Sequence, residues 1–160
     1  MNEISIDYVG IVFDEKPDAV PYKYRISYKV TQLCLIMKIC GRGSVCSLIK
    51  LHMISHALIS NDNMRSLIEF VNGSNSLPVV RFDPSVNRAL TYAMGFGLIE
   101  QQKNSRFKLS DRGRLLTEQI LAVGDLMVAE ISDLSLLSKK LTERMVDEIE
   151  YKWRARDAKD

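Results

Sequence analysis

The chain has 160 residues, 46% hydrophobic and 26% charged, with 8 Gly and 4 Pro; this fits one folded domain and excludes disordered, collagenous and repeat architectures. Twenty-two basic against 20 acidic side chains leave a net charge of +2, too little for a general nucleic-acid coat protein. No apolar run reaches the roughly 18 residues of a membrane helix, and Lys38 interrupts the best candidate, 33–40. The start of the chain shows no basic-then-apolar signal segment, and Cys34, Cys40 and Cys46 make an odd count. Reduced thiols and a cytoplasmic location are therefore expected.

The charges are unevenly placed. Residues 1–21 carry one basic and five acidic side chains, whereas 22–60 carry six basic and none acidic. Residues 61–97 balance at three each, 98–115 have five basic and two acidic, and 116–160 have seven basic and ten acidic. The basic middle is either a cationic patch for phosphate backbone or a solvated face paired with the acidic ends.

In chain order, residues 3–13 alternate partly between apolar and polar and read as short strands or an extended arm, followed by a DEKPDAVP linker. Ile26, Val30, Leu33, Ile36 or Met37 and Cys40 recur at helical spacing, and the Gly41-Arg42-Gly43 turn ends that helix. Ser44 is the expected cap of a second helix through Ser60, apolar on most of its circumference and so buried on more than one side. Asn61 or Asp62 is placed to cap a third helix carrying Met64, Leu67, Ile68 and Val71, which stops at the NGSNS cluster. After an extended piece, 77–82, Asp83 and Pro84 form an N-cap with proline at the first helical position. Val86, Leu90, Ala93 and Met94 then supply the inward face. Residues 97–110 alternate around a QQKNS tip, as a hairpin requires, and Ser110 or Asp111 caps a helix with Leu115, Leu116 and Ile120 on its inner side. From Asp125 to about Trp153, Met127, Ile131, Leu134, Leu137, Leu141, Met145 and Ile149 recur at three- and four-residue steps, which predicts one long amphipathic helix. That helix can dimerise, dock a partner helix or fold back on its own domain.

The order extended piece, helix, hairpin, helix in 77–121 is the second half of a winged helix, with the helix from Pro84 in the reading position and 101–106 at the wing tip. The expected fold is mainly α with a small β-hairpin wing: an N-terminal arm (1–21), a winged helix-turn-helix domain (22–121) and a long C-terminal amphipathic helix (122–160). Ser85, Asn87, Arg88, Thr91 and Tyr92 fall on the outer face of the reading helix, where Asn and Arg can read adenine and guanine edges. Lys103 and Arg106 on the wing can grip phosphates. Asn87, Arg88, Lys103 and Arg106 are thus the DNA-contact candidates, set against a pure protein-interaction role for a helix with a single cation.

Chemistry finds little foothold. His52 and His56 share a helix face at i, i+4, but five residues separate successive cysteines and no glutamate follows His52, so no metal site is expected. There is no phosphate-binding Gly-Lys-Ser/Thr loop and no Gly-x-Ser-x-Gly elbow. Neither catalysis, a cofactor nor a small-molecule substrate is expected.

Several stretches carry a resemblance: Tyr-Arg-Ile-Ser-Tyr-Lys-Val at 24–30, the Gly41-Arg42-Gly43 turn, Ser47-Leu48-x-Lys50-Leu51-His52-x-Ile54-Ser55-x-Ala57-Leu58, and Arg81-Phe82-Asp83-Pro84-x-x-Asn87-Arg88-Ala89-Leu90. Over residues 22–121 the chain resembles the middle component of ABC-three-component systems, which includes the small accessory subunit of Lamassu-type antiphage defence. The resemblance implies a winged-helix adaptor beside an SMC-like ATPase and an effector, often a nuclease, with ATP hydrolysis and cutting left to those partners. In that setting DNA is a supplementary partner, reached through the complex, and direct contact by the winged helix stays open. Lys50, His52 and His56 on the second helix and Leu134, Leu141 and Met145 on the C-terminal helix are the candidate partner-binding residues. The other reading is a dimeric transcriptional regulator that dimerises through the long helix.

Overall fold

A computed structural model describes residues 25–159; the expected N-terminal arm lies outside them. Among the described residues the order is α1 (Ile26–Cys40), β1 (Val45–Cys46), α2 (Leu48–Ala57), α3 (Asn61–Val71), α4 (Pro84–Gly95), β2 (Ile99–Gln101), β3 (Phe107–Leu109), α5 (Asp111–Val123), α6 (Val128–Leu137) and α7 (Glu143–Asp157). The protein is mainly helical with a three-stranded antiparallel sheet of order β1-β3-β2.

α1 is the axis of the core. Its LCLIM run at 33–37 is apolar around the whole circumference, and Leu33, Cys34, Leu35, Ile36 and Met37 are all buried, because α2, α4, α5, α6 and β3 pack around it. Gly41 ends the helix where the chain must pass close to itself. A Cβ there would meet Met37 O at 2.6 Å and Val45 O at 2.9 Å, so only glycine lets β1 return beside the last turn. β1 pairs with β3 at Val45–Lys108 and Cys46–Phe107.

α2 begins at Ser47, whose hydroxyl accepts the Lys50 N–H, not at Ser44 as expected. Residues 45 and 46 are β1, which is too short to leave an alternation in the sequence. α3 is capped by Ser60, one residue before Asn61 and two before Asp62, the expected caps. The expected hairpin pairs Ile99 with Leu109 and Gln101 with Phe107. Ser110 then caps α5, accepting the Gly113 N–H at 3.1 Å and donating to Gly97 O. On α5 Ile120, Gly113 and Thr117 are inward, while Leu115 is exposed.

The expected long C-terminal helix is two helices. The chain turns at Ser138, which has a positive φ of 49°, and restarts at Thr142, whose hydroxyl accepts the Met145 N–H at 3.2 Å. α6 packs on α1 and α3 and α7 reaches α2. The predicted seam is consumed inside the protein: Leu134, Leu137, Leu141 and Ile149 are buried in the common core.

Candidate functional site

The start of α4 is built from two neighbouring devices. Asp83 caps it, Oδ1 accepting the Ser85 N–H at 2.8 Å and Oδ2 accepting the Ser85 hydroxyl at 2.6 Å, while Pro84 fills a first-turn position whose N–H has no helical partner in any case. His52, buried on α2, ties this cap down. The Asp83 N–H donates to Nδ1 at 3.3 Å, so the ring proton is on Nε2, which donates to Asn87 Oδ1 at 3.0 Å. The Phe82 ring covers the imidazole with centroids 4.9 Å apart.

Desolvation alone would raise the Asp83 pKa, but the Ser85 hydroxyl and N–H, then Lys29 and His52, outweigh it and hold the carboxyl below the ordinary aspartate value. Asp83→Ala should cost about 1 kcal/mol, the usual worth of an N-cap. Since the folded-state pKa is depressed, the ionised cap stabilises the protein above the unfolded pKa. That contribution is lost as pH falls through the folded value. Urea midpoints of wild type and Asp83→Ala should differ most near pH 7 and converge below about pH 4.

On the outer face of α4, Asn87, Arg88, Thr91 and Tyr92 are exposed and Ser85 is half-buried. Bidentate reading of adenine needs an asparagine's carbonyl oxygen as well as its amide. Asn87 Oδ1 already holds His52. The far end of the face is aromatic: Tyr92 and Phe96 are 48% and 54% exposed, ring centroids 6.3 Å apart. At the hairpin tip Lys103 is exposed and Arg106 half-buried, with the turn held by Gln102 N–H to Arg106 O at 2.7 Å.

The six residues expected at partner surfaces separate into distinct places. His56 is half-buried beside a cleft of about 380 Å³ that His52, Ile59, Arg81, Phe82 and Pro84 also line; desolvation, then the Arg81 guanidinium, lower its pKa. Lys50 and His52 are interior, 2% and 1% exposed, because one holds the end of α1 and the other the start of α4. Leu134 and Leu141 are core residues and Met145 packs against that core; the bend at Ser138 turns them inward. They are not a free docking stripe.

Sequence periodicity missed the α5–α6 corner, where Leu121, Val123, Leu126 and Val128 are all exposed. Their signal is the break in three- and four-residue spacing after Ile120. Of the basic residues of 25–60, Lys29 faces Asp83 at 3.9 Å, Lys38 faces Glu118 at 3.5 Å and Lys50 is buried.

Burial pushes the thiols of Cys34, Cys40 and Cys46 up to about 12, which leaves them without nucleophilic thiolate at neutral pH. Among the described residues no group of three or more His, Cys, Asp or Glu side chains is placed to hold a metal ion, and no helix is long and apolar enough to cross a membrane. Comparison with protein-family models, curated proteins and solved structures finds no match to this chain.

Proposed function

We propose that the chain is a non-enzymatic adaptor subunit on a winged-helix scaffold, bridging an SMC-like ABC ATPase and an effector, often a nuclease, in a bacterial antiphage defence complex. The order α1, β1, α2, α3, α4, hairpin, α5 with the sheet order β1-β3-β2 supports that scaffold. In it α4 takes the reading-helix place and β2–β3 the wing.

The observation that carries the adaptor reading is the outer face of α4. Where a sequence reader concentrates cations and free amides, this face presents Arg88, a committed Asn87 and the exposed Tyr92–Phe96 pair, a combination suited to a protein partner. The exposed apolar corner at 121–128 supplies a second face, as a bridging subunit requires. The regulator reading dimerises through the C-terminal seam, and Leu134, Leu137, Leu141 and Ile149 of that seam are core.

Purification of the tagged chain from its native operon tests this. The adaptor reading expects an ATPase to accompany it at fixed stoichiometry. A stable lone dimer that binds its own promoter with steep salt dependence would establish the regulator instead.

A further inference from the structure

We propose that the cleft between the Gly41–Ser44 turn, the wing and the α6–α7 connection binds a small phosphate ester that carries free hydroxyl groups. The cleft has a volume of about 300 Å³, and Arg42, Lys50, Arg106, Lys139, Thr142 and Glu143 contribute to its lining. Residues 40–50, the wing and residues 139–144 thus bring five cations to one concavity, the fifth being Arg144, which pairs with Glu148 at 3.6 Å.

Lys50 is the informative member. Its side chain is 2% exposed, and Nζ donates to Cys40 O at 2.9 Å, one of the carbonyls left over at the end of α1. Among the described residues no carboxylate lies within ion-pair distance of that ammonium. An interior ammonium with no carboxylate in contact is costly, and the cation-lined cleft onto which Lys50 borders is where an anion would offset that cost. Arg42 and Lys139 are exposed and have no ion-pair partner among the described residues. The start of the 15-residue α7, at Thr142, adds N-terminal N–H groups and a hydroxyl hydrogen that its capping bond leaves free.

Glu143 sets the rest of the ligand. Its Oε1 accepts the Ser47 N–H at 2.9 Å, whereas its Oε2 is buried without a hydrogen-bond donor. A bare phosphate dianion would meet this carboxylate with repulsion. A phosphate ester with neighbouring hydroxyls places its anionic end on the cations and a hydroxyl donor on Oε2, so that both unsatisfied groups are answered together.

The test is calorimetric titration and thermal melting of the full chain, at matched ionic strength, with ribose 5-phosphate, inorganic phosphate and a blunt DNA duplex. Saturable binding of ribose 5-phosphate, tighter than inorganic phosphate, is expected. The Arg42→Ala/Lys139→Ala double variant, altered only at exposed positions, should weaken it at least about tenfold, the worth of one charge-assisted hydrogen bond. Lys50→Met should abolish it while leaving the unliganded protein folded, since an apolar chain of similar length removes a buried charge in exchange for one hydrogen bond to Cys40 O. If Lys50→Met does not fold, the double variant decides alone. Absence of saturable binding, affinity unchanged in the double variant, no preference for the ester over inorganic phosphate, or binding of the duplex alone overturns the proposal.

Discussion

Leu134→Ala should lower the unfolding free energy by about 3 kcal/mol, within the usual range for a buried leucine truncated to a methyl group. The side chain is fully buried, and its backbone lies against α1, where Leu134 O faces Cys40 Sγ at 3.6 Å. A cavity there opens between α6 and the central helix. Urea unfolding of the isolated chain measures it, the midpoint shifting with an unchanged slope. The alternative sequence reading, a seam awaiting a second chain, predicts instead a substitution nearly silent in the monomer.

Gly113→Ala is the second large effect, and its sign is opposite to the intrinsic preference. In a helix interior alanine is favoured over glycine by about 1 kcal/mol. At 113, however, a Cβ would collide with the Leu98 carbonyl oxygen and stand 2.8 Å from Leu109 Cδ2. Neither neighbour can retreat freely: Leu98 O accepts the Ser110 N–H at 3.0 Å and Leu109 is core. Overpacking of this kind costs typically 1–3 kcal/mol, and the backbone obstacle puts the net loss near 2 kcal/mol. Gly95→Ala is the internal comparison. It also lies in a helix, but a Cβ there meets nothing within 4 Å, so the same substitution should be neutral or mildly stabilising. Thermal melts of the pair separate a close approach from a general effect of removing glycine.

These two sites mark what was legible in the sequence and what was not. Punctuation with a local cause was readable: Asp83-Pro84 capping α4, Ser110 capping α5, and the hairpin between them each depend on side chains bonding their own neighbourhood. The break at Ser138 was not. Leu134, Leu137 and Leu141 keep three- and four-residue steps through the bend because both helices turn their apolar sides to one core, and neither Gly nor Pro marks the stop. The restart was signalled only by Thr142, a good N-cap residue inside what looked like a continuous heptad pattern.

Of the candidate site, the exposure of Asn87, Arg88, Thr91 and Tyr92 on α4 followed from the helical face opposite Val86, Leu90 and Ala93. The commitment of Asn87 to His52 did not, since it depends on α2 crossing α4 thirty-five residues earlier in the chain. Lys50 and His52 look like surface residues in a one-dimensional pattern. Each is interior because it answers a helix end: Lys50 bonds the last carbonyl of α1 and His52 accepts the N–H of the α4 cap.

The adaptor reading rests on protein contact through the outer face of α4, and quantitative co-purification with the double variant Tyr92→Ser/Phe96→Ser tests it most directly. Both rings are about half-exposed, so the variant should melt close to wild type. Aromatic anchors at an interface typically contribute 2 kcal/mol or more. If the chain is an adaptor, the folded variant should recover an ATPase at least about tenfold less efficiently than wild type. Recovery of the ATPase at wild-type stoichiometry by the folded variant would contradict it.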